Sequence, residues 1–196
     1  MAEIKSAREI AQEKTAGLGE ATEEERLRWK YMPEGEKLAM KYLNEGLDLT
    51  VELSHYREEA KKYVIKGAEA VLLVNINLPK NDLTKSKNKK AMDGLMKFKS
   101  DKVSLIKVYD NISHVFNHYT EQGEQQRKQV YESLKAKFSS KLRQAVEQQM
   151  GSVGELDINV ENLPQFQDEW QRTLAQLDSQ YIQLLDEYKQ ELKSIT

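Results

Sequence analysis

The sequence predicts an all-α fold: elongated antiparallel helical hairpins of coiled-coil character, preceded by two short N-terminal helices. Three observations predict it. Gly and Pro number only 9 and 3 in 196 residues, roughly half of ordinary usage, so few positions break a helix. Charged residues make up 32 %, above the roughly 25 % of an average domain, which suits long solvated helices. Long proline-free stretches carry apolar residues at alternating spacings of 3 and 4, the repeat that holds one helix face against a partner.

Residues Glu3 to Ala16 place Ile4, Ala7, Ile10 and Ala11 on one helical face, and Gly17 and Gly19 end the segment. Thr22 with Glu25 three residues later is a capping box that opens a second short helix through Leu27 and Trp29, which Pro33 is expected to stop. From Glu34 to Leu78 no proline occurs. Leu49, Leu53, Tyr56, Ala60, Tyr63, Gly67, Ala70 and Val74 step by 4, 3, 4, 3, 4, 3 and 4, a heptad seam in one continuous helix of roughly 67 Å. The small residues at 60, 67 and 70 would let a partner backbone come close, so Gly67 is not read as a break.

Leu78-Pro79-Lys80-Asn81-Asp82 is a turn, because Pro79 drives the preceding residue out of the α region and Asn or Asp can cap a new helix. A long helix is then expected from Asp82 to Met150, with an apolar stripe through Leu105, Tyr109, Ile112, Phe116 and Tyr119 and a second through Val130, Leu134, Phe138 and Leu142. Between the stripes the segment TEQGEQQRKQ, residues 120 to 129, is polar throughout. Gly151 to Gly154 reads as a hinge, residues 155 to 162 as an irregular acidic connector, and Pro164 as the first residue of a last helix. That helix carries Phe166, Trp170, Leu174, Leu177, Tyr181, Leu184, Tyr188 and Leu192 on its seam. The expected organisation is an appendage over residues 1–33, a first hairpin over 34–119 with its tip at 79–82, and a second over 120–196 sharing the central helix. Leu49, Leu53, Tyr56, Tyr63, Leu105, Ile112, Phe116, Trp170, Leu177 and Leu184 are the expected packing or self-association residues.

Several classes of chemistry fall away. The absence of cysteine removes disulfides, thiolate metal sites and cysteine nucleophiles. No stretch reaches the roughly 18 uncharged apolar residues that a membrane-spanning helix needs. Glu3, Glu9 and Glu13 in a segment without an apolar core are unlike a secretory or mitochondrial leader, so a cytoplasmic protein is expected. No nucleophile elbow, phosphate-cradling glycine loop or HExxH motif occurs, so no enzyme and no cofactor are expected.

Charge is segregated along the chain. Residues 80–107 carry a net charge of +6 and residues 155–196 one of −6. Lys80, Lys85, Lys87, Lys89, Lys90 and Lys97 could meet phosphate on nucleic acid or the ribosome, although no Arg or aromatic residue lies in 80–97 to read or stack a base. Asp110, His114, His118 and Glu121 form a helical ladder with the spacing of metal ligands, but it lies opposite the apolar stripe, where a bundle metal site would not be built. His114, His118 and Glu121 are therefore weak metal candidates, and a solvated outer face is the simpler expectation. The function expected is that of a non-enzymatic coiled-coil scaffold or adaptor that self-associates and meets a protein partner. Alternatives are a ribosome- or nucleic-acid-associated factor using the lysines, and a metal-binding helical bundle. Contact with a membrane surface is not expected.

Overall fold

The computed structural model describes residues 21–150 and 159–195. The expected helix at Glu3–Ala16 and the hinge at Gly151–Gly154 lie outside them. Among the described residues the fold is all-α, without a strand, and no helix is long and apolar enough to cross a membrane. The chain divides after Val74 into two compact units.

The first unit contains α1 (Glu23–Glu45), α2 (Leu49–Ser54) and α3 (Glu58–Val74). The capping box forms as expected: Thr22 Oγ1 accepts from the Glu25 amide at 3.2 Å, and the Glu25 carboxylate accepts from the Thr22 amide at 2.8 Å. These bonds from Thr22 hold the Glu25 carboxyl below its ordinary value. Pro33, however, does not stop the helix, and α1 runs through it. Its ring is exposed, so the carbonyl that loses an amide partner faces water instead of a dry core. The continuous helix expected from Glu34 to Leu78 is also broken twice. Gly46, at φ 77°, ends α1, and Asp48 caps α2 by accepting from the Thr50 amide. The second break falls at His55–Arg57. Tyr56 therefore sits between two helices, half-buried, and the heptad seam ends at Gly67, since Ala70 and Val74 are exposed.

Beyond Gly67 burial passes to Ala68, Leu72 and Leu73. Two glycines set the contact between α1 and α3. A Cβ on Gly35 would strike the Val64 carbonyl, and one on Gly67 would strike that of Met32. The close approach read from Gly67 is real, and Gly35 is its counterpart. Around this contact Ala39, Leu43, Leu49, Leu53, Ala60, Tyr63 and Val64 are buried.

The second unit begins with a non-helical segment, residues 75–81, because α3 stops at Val74, short of the helix end expected at Leu78. Asn88 explains the early stop. Its buried amide accepts from the Asn77 N–H at 2.9 Å and donates to the Asn77 C=O at 2.6 Å, satisfying backbone groups that a helix would otherwise pair. Asn88→Ala is expected to destabilise this unit by about 1–3 kcal/mol, because both Asn77 groups lose their partner. Urea unfolding of the variant checks this, and an unchanged midpoint would show that water replaces the amide.

After Asn81, whose side chain caps the next helix, come α4 (Asp82–Phe98), α5 (Lys102–Thr120), α6 (Gln122–Met150), a 3-10 turn (Val160–Asn162) and α7 (Pro164–Ser194). The single helix expected over 82–150 is thus three. Asp101 caps α5 by accepting from Ser104, whose hydroxyl and amide hold the Asp101 carboxyl below its ordinary value. Lys102 Nζ donates to the Met96 carbonyl at the end of α4. Buried Lys99 donates to the Ile195 carbonyl at 2.5 Å, placing a cation at the negative end of α7. The second interruption is at Glu121.

Helix α7 starts at Pro164 as expected and packs on α6 and α5 in antiparallel order. Phe166 meets Phe138 and Tyr131, Trp170 meets Tyr131, Tyr181 meets Tyr119 and His118, and Ile195 meets Lys99. The 3-10 turn is fastened to α6 by Glu161, which accepts from Tyr131 at 2.6 Å and Lys135 at 3.0 Å. Leu105, Ile112 and Tyr119 are buried, and Phe116, Val130, Leu134, Phe138 and Leu142 are half-buried.

Candidate functional site

The seam of α7 follows the expected one at Phe166 and Leu192 but departs from it by one residue in the middle. Asp178 and Leu185 are buried, while Leu177 is half-buried and Leu184 is 38 % exposed. That shift puts a carboxylate in the interior, which is tolerated only because cations converge on it. Lys80 Nζ lies 2.7 Å from Asp178 Oδ2, and Arg127 Nη1 lies 4.0 Å from Oδ1. Tyr119 directs its hydroxyl at Oδ2 from 3.5 Å. Oδ1 has no hydrogen-bond partner.

Arg127 also closes the break at Glu121. Its guanidinium stacks on the Tyr119 ring at 4.0 Å and donates to the Tyr119 carbonyl at 3.0 Å, occupying a C=O that the interrupted helix leaves open. Gly123 keeps this place clear, since a Cβ there would come within 3.0 Å of both Arg127 Nη1 and the Tyr181 hydroxyl. The polar segment 120–129 is accordingly built around Arg127.

Burial pushes the Tyr119 phenol up to about 12; the Arg127 charge opposes this and the Asp178 charge adds to it. Because the folded chain favours the neutral phenol, this contribution to stability is complete below pH 10 and is lost as pH rises towards about 12. In an alkaline titration followed by tyrosinate absorbance, Tyr119 is expected to ionise late and together with unfolding. Its early ionisation in the folded protein would contradict the burial.

Beside this cluster α5, α6 and α7 line a groove of about 740 Å³, with His114, His118, Gln126, Leu177, Tyr181 and Leu184 in its walls. His118 Nδ1 is 2.8 Å from the Tyr181 hydroxyl. Both histidines are exposed, as an outer face requires, and stand in the wall of this groove, where His118 alone reaches α7. Glu121 is instead the C-cap of α5 and is exposed. Among the described residues no group of three or more His, Cys, Asp or Glu side chains could hold a metal ion.

The lysines divide. Lys80 is committed to Asp178, and Lys85 pairs with Asp82 at 3.2 Å. Lys87, Lys89, Lys90 and Lys97 are exposed on α4. Ile182, 45 % exposed on α7, lies between two surface grooves. One is shared with Lys80, Thr84 and Lys87, the other with Ala175, Ser179, Asp186 and Glu187. Sequence reasoning missed Asp178, Arg127 and Asn88. The available signal for the first was an aspartate spaced 4, 3 and 4 along the line Leu174, Asp178, Tyr181, Leu185.

These features define a helical protein whose last helix is packed on one face and open on another. Residues 50–194 match a family model described as "Family of unknown function (DUF6657)", and the chain belongs to that family. The match begins within α2, leaving α1 before it. No curated protein and no solved structure matches the chain.

Proposed function

We propose that this chain is a non-enzymatic helical interaction protein that acts in the cytoplasm, self-associates through its helix faces in coiled-coil fashion, and presents surfaces to a protein partner. One observation carries the reading. Helix α7 packs Phe166, Leu185 and Leu192 against its own unit, yet its other face leaves Ala175, Ser179 and Ile182 exposed. Ile182 is the large apolar side chain of that face, and a second helix packed there would cover it. Light scattering coupled to size-exclusion chromatography tests the proposal. A mass near twice 22.7 kDa supports self-association, and a concentration-independent mass of 22.7 kDa rejects it.

A second reading has its own observation: Lys85, Lys87, Lys89 and Lys90 are all exposed on α4. A phosphate-bearing partner, such as ribosomal RNA, would be held there by charge. Binding to single-stranded RNA that weakens steeply with salt, with a shallower slope after alanine substitution of these lysines, would favour it.

A further inference from the structure

We propose that two copies of this chain pair across the face formed by α4 and α7, around a two-fold axis at Ile182. This rests on the self-association reading above and names its surface. Ile182 borders both surface grooves. On one side of it stands the basic start of α4, with Lys87 in the groove wall and Lys90 one turn on; on the other stand Asp186 and Glu187 of α7. All four charged residues are exposed, Asp186 also pairing with Lys189 of its own helix at 3.3 Å.

An apolar side chain lying between a basic and an acidic half makes the patch complementary to itself. A two-fold rotation through Ile182 brings the basic half of one copy onto the acidic half of the other, and does so twice, which is the closed pairing of an isologous dimer. The occupant is therefore a second copy. A uniformly acidic or basic partner would be attracted to one half and repelled by the other. Because the charged rim remains near solvent, association should weaken as salt rises.

The test uses the full chain in two charge-reversed forms, K87E/K90E and D186K/E187K, followed by sedimentation and by circular dichroism to confirm unchanged helix content. At low salt the unmodified chain is expected to dimerise, and each variant alone to lose affinity by at least about tenfold, each good charge contact being replaced by a like-charge one. An equimolar mixture should recover the dimer, because both contacts in the mixed pair again join opposite charges. I182K should also weaken pairing, and mixing should not rescue it. If the unmodified chain dimerises and the variants do so equally well, the proposed face is wrong while self-association stands. If the variants dissociate and their mixture stays monomeric, the two-fold pairing is wrong. A monomeric unmodified chain would overturn both this inference and the reading beneath it.

Discussion

Gly35→Ala and Gly67→Ala are each expected to destabilise the first unit by about 3 kcal/mol or more, at or beyond the upper end of what overpacking a core usually costs. Each new Cβ meets a main-chain carbonyl: a Cβ on Gly35 lies 2.7 Å from the Val64 carbonyl carbon, and one on Gly67 lies 2.9 Å from that of Met32. A side chain could rotate away, but backbone within a helix can yield only by separating α1 from α3. Helix propensity alone predicts the opposite, a gain of about 1 kcal/mol for each replacement. The sign therefore distinguishes the two effects. Thermal unfolding by circular dichroism measures it, and a stabilised Gly35→Ala variant would show that the helices do not approach as described. Gly46→Ala is a useful contrast. Nothing lies within 4 Å of its added Cβ, so only its left-handed backbone opposes the change, at about 1–2 kcal/mol.

The second large effect is at Asp178. Removing Lys80 and Arg127 together is expected to cost about 3–5 kcal/mol, since a buried carboxylate would be left without a cation. Lys80→Ala alone should cost less: the lysine is half-exposed, its side chain at 54 %, and Arg127 remains within 4.0 Å. Asp178→Leu in the doubly substituted background should recover most of the loss by converting the position into ordinary seam. Urea unfolding of these variants reads the cycle. If the leucine recovers nothing, the loss comes from Arg127 leaving the Tyr119 ring and carbonyl, and the charge argument fails.

The local part of this structure was legible in the sequence. Thr22 and Glu25 cap α1, Asn81 caps α4, Pro164 starts α7, and Gly67 permits a close helix contact. Each depends on residues near one another in the chain, so spacing and residue type suffice. The interruptions were less legible. A 3-and-4 repeat continues across His55–Arg57 and across Lys99–Asp101 without a proline to mark either break. The repeat records which residues can be apolar on one face. It carries no information on whether Asp48 or Asp101 will cap a new helix or ride on an old one.

The site shows the same division more sharply. Leu177 and Leu184 have as good a claim to the seam as Asp178 and Leu185 when α7 is considered alone. The histidines of α5 lie opposite its main stripe and stay exposed, and only the packing of α7 sets them in the wall of a groove. By itself, the sequence determined that the chain would be helical, where several helices would begin, and that its charge would be divided between a basic and an acidic region. Only the tertiary structure decided which face of α7 points inward, because the cost of burying a carboxylate depends on cations supplied by other segments: Lys80 ahead of α4 and Arg127 in α6.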